Sequence, residues 1–438
     1  MLVINLITDS ISAQDIILGC PILLTLMGSW IKIEMEYFNY LLAISSSKIK
    51  FYRYPSEFTL VFIFLIFKLL LQSIKQYKIM KKTNTIVLLL ILSFSLMNFS
   101  CSNSDEELMI DDLSTLDKEL MARDFSGIVL IAQNDDIIFN KAYGRKNNQE
   151  NGLNDINTVF DMCSITKQLT AAGILKLSMQ NKVSVDDNLS KYFDAVPNDK
   201  KDITIHQLLT HSSGLRAGIG GDYETITEEE FLKQVFNSEL ISPVGERFNY
   251  SNVGYSLLGL IIEKASGMDY ESFLNLEIFE PSNMYHTGYI IPDWQQNEVA
   301  NGYLNGVENN KPNEENWSDN GPYLNLKGNG GLLTRASDML LWSQSIMNNT
   351  VLDEATTSTY LFPHFQPTNL YDSYGYGWGI ENNDSENKLV VHGGASNLFT
   401  SDMWIYPNKG ITIIVLSNEF DASVYTIARG ISNFLLSE

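Results

Sequence analysis

From residue 112 onward the apolar positions change rhythm twice: runs of strand length come first, helical spacing follows, and strand-length runs return near the end. The stretches "GIVLIAQ" (127–133) and "DIIFNKAYG" (136–144) flank Asn134-Asp135-Asp136 and predict strand, turn, strand. A helix is expected from Ser164 to about Gln180, with apolar residues at Leu169, Ala172, Leu175 and Leu177. Thr227 and Glu230 have the spacing of a capping box ahead of Phe231. "SNVGYSLLGLIIEKASG" (251–267) keeps helical spacing until Gly267 stops it. "KLVVHGG", "FTSDMWIY" and "GITIIVLSN" then read as strands, before a last helix from about Ala422 to Leu436. Strands from both ends with helices between them predict an α/β (α+β) fold. Its single antiparallel sheet is built from N- and C-terminal strands, flanked by helices and interrupted by a helical insertion.

The first hundred residues follow another pattern. Residues 1–79 hold an apolar run, Phe58–Phe67, broken by Lys68 before Leu69–Leu71, with no periodicity that closes a domain. From Met80 the chain reads "MKKTNTIVLLLILSFSLMNFSCSNSDEE": basic Lys81 and Lys82, apolar residues 86–97, small Ser100, then Cys101 and an acidic run. That is the layout of a secretory signal peptide, too short to span a membrane comfortably. It resembles a bacterial lipoprotein signal, in which the cysteine at the cleavage point becomes the lipidated N-terminus, although Asn98 stands where such signals usually carry an aliphatic residue. "CSNSDEE" is similar to the acidic tag of lipoproteins displayed on some Gram-negative outer membranes. The expected organisation is therefore an upstream extension or membrane anchor over 1–79, a signal peptide over 80–100, an acidic tether over 101–111 and one globular domain over 112–438. The expected location is exported: a periplasmic or outer-membrane lipoprotein of a Gram-negative bacterium, attached to the membrane through a lipid on Cys101.

Composition agrees with that division. The whole chain, 438 residues with 45% hydrophobic and 19% charged, is ordinary for a globular protein. Residues 1–100 carry a net charge of +4 and residues 101–438 a net charge of −26. A body this acidic repels phosphate backbones and anionic lipid head groups, which argues against a nucleic-acid partner. Three cysteines, Cys20, Cys101 and Cys163, make no disulfide framework within the acidic body, and the five histidines include no HExxH or HxxEH, so no metal site is expected.

The candidate chemistry begins in "FDMCSITKQLTAAGILKL" (160–177), where Ser164 and Lys167 stand three apart at the mouth of a helix. Alone the pair is weak, because serine often caps helices and lysine often lies exposed on them. Residues at this spacing share a face, so Lys167 could take the proton of Ser164 if its amine were neutral, which requires burial or neighbouring positive charge. Unpaired backbone N–H groups at a helix start also favour an oxyanion. Two further elements follow in order: Tyr250-Ser251-Asn252 in "FNYSNVGYSLLG", just before a helix, and His392-Gly393-Gly394 in "VVHGGASN", at a strand end. With these three motifs the sequence resembles the serine β-lactamase and penicillin-recognising hydrolase family, in the branch of class C β-lactamases, D-alanyl-D-alanine carboxypeptidases and lactamase-like esterases. The likeness runs from about Gly127 to Leu436 and includes "ITIHQLLTHSSGL", "GNGGLLTRASDMLLW" and "YGYGWGI".

Carried onto these positions, the resemblance implies an acyl-enzyme on Ser164, assisted by Lys167, with Tyr250 as general base and proton carrier. It implies that Asn252 bonds a substrate amide or Lys167, that His392, Gly393 and Gly394 line the strand side, and that the N–H groups of Ser164 and Ala395 form the oxyanion hole. No cofactor is implied. The substrate would be a small molecule or peptide, cell-wall-derived ones included: an ester, a D-amino-acid peptide or a β-lactam. Class C enzymes begin the third motif with lysine, which suits a carboxylate, whereas His392 is mostly neutral at pH 7 and shifts the expectation toward ester or peptide cleavage. Leu398 stands where relatives often carry glycine, and Cys163 reads as a small buried thiol. The competing reading is a sensor or binding lipoprotein on the same fold that retains the pocket without turnover.

Overall fold

The run from Gly127 to Ala132 is apolar throughout because its strand, β1 (Gly127–Gln133), is covered on both faces. The computed structural model describes residues 108–437 apart from 109, 111, 150–151, 296–297, 367, 369 and 421–422. The expected extension, the signal peptide, Cys101 and nearly all of the tether lie outside the described residues. Helix α1 (Leu113–Ala122) precedes β1 and β2 (Asp136–Tyr143), and short β3 (Phe160–Asp161) leads to α2 (Thr166–Met179). Then come α3 (Ile205–Leu209), α4 (Glu228–Asn237), α5 (Asn252–Ser266), α6 (Tyr270–Leu274), and short strands β4 (Tyr303–Leu304), β5 (Val307–Glu308) and β6 (Leu333–Thr334). Helices α7 (Ala336–Met347) and α8 (Glu354–Tyr360) precede β7 (Ser373–Tyr374), β8 (Gly379–Glu381), β9 (Leu389–Ala395), β10 (Thr400–Tyr406), β11 (Ile411–Ser417) and α9 (Val424–Ser437).

Seven strands form one sheet in the order β2-β1-β11-β10-β9-β8-β7, with every neighbouring pair antiparallel. The expected sheet from both ends of the domain is therefore present, with β1 pairing β11 from Gly127↔Ser417 to Gln133↔Ile411. Successive side chains leave opposite faces of a strand. Ile128 and Leu130 join Met403, Ile414 and Leu416 against the helical insertion, while Val129 and Ile131 join Trp404, Ile413 and Val415 beneath α1 and α9. Each such aliphatic side chain, fully withdrawn from water, contributes about 1.5–3 kcal/mol before its entropy cost.

Local signals fall where the spacing places them. Thr227 and Glu230 make both halves of the capping box at α4, and Gly267 closes α5 in the left-handed conformation at φ 74°. Two boundaries move. Ser164 lies in a 3-10 turn, Cys163–Ile165, and the α-helix starts only at Thr166. The final helix opens from the carbonyl of Ser423, which accepts the Ile427 N–H, so α9 runs Val424–Ser437. Helix α2 has hardly any polar face, because the insertion surrounds it: Thr166, Lys167, Gln168 and Thr170 are buried as fully as Leu169 and Ile174. Among the described residues no helix is long and apolar enough to cross a membrane.

Candidate active site

The turn before α2 presents Ser164. Its predecessor Cys163 adopts φ 51°, a left-handed conformation uncommon for a residue with a Cβ, and its N–H donates to Asp161 Oδ1 at 2.7 Å. One helical turn later, Lys167 is fully buried with Nζ 3.1 Å from Ser164 Oγ and 2.6 Å from the Asn329 carbonyl oxygen. Burial pulls the amine down to about 7, against the opposing pull of Asp222 and Cys163. In its neutral form it can donate to Asn329 and offer its lone pair to Ser164.

Tyr250 reaches the same point from the segment before α5. Lys167 Nζ sits 4.8 Å from the centre of its ring. Burial raises the phenol above its ordinary value, and the neighbouring Ser164 hydroxyl offsets part of that rise, so Tyr250 is protonated at neutral pH. Asn252 is the first residue of α5; its N–H donates to the Ala217 carbonyl at 2.8 Å, while its side-chain oxygen is buried without a hydrogen-bond partner. The bond from Asn252 to Lys167 that the resemblance allows is not formed: the Lys167 amine bonds Ser164 and the Asn329 carbonyl.

The third wall is β9. Ser401, its neighbour on β10, donates to the Met162 carbonyl at 2.8 Å and draws the strand against the serine turn. A Cβ built at Gly394 would lie 2.8 Å from both the Cys163 Cβ and the Met162 oxygen, so only glycine admits this approach. Gly393 has no such crowding: its nearest neighbour would be Asp402 Oδ1 at 3.7 Å. Ala395 ends the strand and is exposed. Three walls thus meet at one serine. The family model described as Beta-lactamase matches residues 113–433. The chain belongs to the beta-lactamase family.

Relatives within this family carry several names. The chain is 27% identical over 321 residues to penicillin-binding protein 4* of Bacillus subtilis, covering 69% of this chain and 70% of that protein. It is 28% identical over 312 residues to protein flp of Staphylococcus aureus, covering 66% of this chain and 59% of the relative's length. Among solved structures, the octameric penicillin-binding protein homologue from Pyrococcus abyssi matches at TM-score 0.65 and 27% identity, over 75% of this chain and 78% of the other. A class C beta-lactamase matches in fold at TM-score 0.64 and 21% identity, over 76% and 98%.

In this beta-lactamase-family chain His392 is buried within β9. Its Nδ1 lies 2.7 Å from the Gly393 carbonyl oxygen, which can only accept, so Nδ1 carries the proton and Nε2 receives the Tyr374 hydroxyl at 3.0 Å. Burial first, and Lys167 second, push His392 down to about 3, so the ring is neutral. Leu398 lies against Gly302, where an added Cβ would come within 2.5 Å of the Leu398 Cβ, so the loop after β9 is packed onto that segment. Cys163 is buried with Sγ 3.6 Å from the carbonyls of Asp161 and Phe399, and burial pushes the thiol up. Asp161, also buried, is pushed up to about 7.

Sequence reasoning missed four participants: Asn329, Tyr374, Asp161 and Asp222. Asn329 lies in "GNGGLLTRASDMLLW" and Tyr374 opens "YGYGWGI", stretches that carried the family likeness without an assigned role. Asn329 is held by its own amide, which donates to Ser256 Oγ and the Asn325 carbonyl, both at 2.9 Å. Among the described residues no cluster of three or more His, Cys, Asp or Glu side chains could hold a metal ion.

Proposed function

We propose that the protein is a serine hydrolase that cleaves esters or amides through an acyl-enzyme on Ser164. The observation that supports this most directly is the fully buried Lys167 amine, 3.1 Å from Ser164 Oγ and with its proton affinity brought near neutrality. Ser164 Oγ attacks the substrate carbonyl carbon while its proton passes to neutral Lys167, and the N–H groups of Ser164 and Ala395 receive the oxyanion. As the tetrahedral species collapses, the proton moves from Lys167 by way of the Tyr250 hydroxyl to the departing oxygen or nitrogen. Water then hydrolyses the acyl ester and regenerates Ser164. This assignment gives the first proton to Lys167 rather than Tyr250, since the phenol is held protonated and the amine is not. The unpaired oxygen of Asn252 supports its assignment as an acceptor for a substrate amide.

The wall that holds lysine in class C enzymes here holds neutral His392, and the carboxylate of Asp222 acts electrostatically on Lys167. Neutral esters and amides suit this charge distribution better than substrates with a carboxylate beside the scissile bond. The test is the intact mass of the protein after incubation with a fluorophosphonate, a p-nitrophenyl ester and a penicillin, each beside Ser164→Ala. We expect an adduct or turnover that the variant loses, with the ester processed faster than the penicillin. A penicillin adduct that forms and never hydrolyses would identify a penicillin-binding sensor. No adduct with any reagent would refute the hydrolase reading.

Export and lipid attachment at Cys101 are proposed on the residue pattern of 80–107 alone. Metabolic labelling with an alkyne fatty acid should tag the wild type and leave Cys101→Ser untagged; equal labelling would refute the anchor.

A further inference from the structure

His211 is buried to 0% exposure and holds a left-handed backbone at φ 56°. It grips the main chain on both sides of Tyr250. Its carbonyl oxygen accepts the Asn249 N–H at 2.7 Å, and its ring Nδ1 accepts the Ser251 N–H at 3.0 Å. Its imidazole also lies against the tyrosine ring, with centres 4.2 Å apart and planes at 34°. Three contacts from one residue therefore bracket Tyr250 from residue 249 to residue 251. Tyr255, Tyr374 and Phe248 surround the imidazole at 5.0, 4.9 and 5.6 Å and hold it in place.

Because Nδ1 is an acceptor, the neutral ring carries its proton on Nε2, and that atom is buried without a hydrogen-bond partner. A phenylalanine in this aromatic setting would bury no such unpaired donor. What phenylalanine could not supply is the acceptor for Ser251. We infer that His211 is a positioning residue for Tyr250, fixing the tyrosine hydroxyl beside Ser164 and Lys167 through the two flanking amides and the ring face. The inference rests on the hydrolase reading above for its kinetic consequence, and on geometry alone for its structural one.

The test compares His211→Phe, which keeps an aromatic ring and loses the acceptor, with His211→Asn, whose side-chain oxygen can accept the Ser251 N–H and which tolerates a left-handed backbone. Small displacements of an acid–base group cost up to about a hundredfold in rate. With a p-nitrophenyl ester, His211→Phe should lower kcat about 10- to 100-fold with KM changed by no more than about twofold, and His211→Asn should recover most of the loss. The acid limb of the pH profile should stay where Lys167 sets it. Crystal structures of the two variants should show the Tyr250 hydroxyl displaced from Ser164 in the phenylalanine variant and restored in the asparagine variant. An undisplaced hydroxyl, or a kcat unchanged in His211→Phe, would overturn the inference. So would loss of the acid limb, since His211 would then be titrating. If the wild type turns over no ester, no kcat is read and the two crystal structures still decide the role of His211, while the hydrolase reading itself falls only if no reagent leaves an adduct on Ser164.

Discussion

Burial brings the pKa of Lys167 down to about 7, so its amine form is accessible near neutral pH. Two consequences follow from the same shift. In the proposed mechanism the amine form accepts the proton of Ser164, so kcat/KM for an ester should fall as the pH drops through about 7, and a pH–rate profile measures this. An acid limb near pH 4 instead would remove Lys167 from that role. The second consequence concerns stability. An unfolded lysine titrates near about 10.4, so between about pH 7 and 10 the unfolded chain binds the extra proton and folding stability rises with pH. Lys167→Met keeps the volume and removes the charge; it should raise the unfolding temperature at pH 6, by an amount that fades toward pH 10, while acylation is lost. Ser164 and Lys167 were legible in the sequence because side-chain identity at a fixed helical spacing carries their chemistry. Asn329 was not legible in that way, since what it gives Lys167 is a backbone carbonyl, a group every residue has.

Helix α2 and strand β9 show where pattern and structure part company. Sequence periodicity marks a helix by its buried stripe, yet α2 is buried nearly all round, so its polar positions hide in the core and its apolar ones reveal only part of its packing. Strand β9 was recognisable as a strand, but nothing in "VVHGGASN" distinguishes its two glycines. The structure does. A methyl at Gly394 would press on Cys163 and Met162, whereas one at Gly393 would meet ordinary contacts. Gly394→Ala should therefore lower the rate of acylation by fluorophosphonate at least about tenfold, by pushing β9 off the serine turn, with Gly393→Ala within about threefold of wild type. Equal rates in the two variants would show that the approach of β9 is not what assembles the site. The capping box at α4 and the glycine stop of α5 were readable because both are settled within four residues.

The whole molecule places its chemistry at a seam. Ser164 and Lys167 belong to the helical insertion, whereas His392, Gly394 and Ala395 belong to the sheet. The architecture was legible because strand-length runs bracket helical ones; the seam was not, because it depends on which insertion residues face β9. The two ends of the domain meet where β1 pairs β11, and just beyond those strands Ser126 Oγ donates to Asn418 Oδ1 at 2.8 Å across 292 positions of chain. That meeting has a consequence in time. A ribosome adding on the order of 5–20 residues per second needs roughly half a minute to travel from β1 to β11. Through that interval β1 has only β2 beside it, and the helices of the insertion have no sheet to pack on. Strand β9 also emerges late, so the serine turn exists before the strand that packs against it. The nascent chain therefore carries Ser164 and Lys167 before Gly394 and Ala395 exist to face them, and the two sides of the seam meet only once the late strands are made.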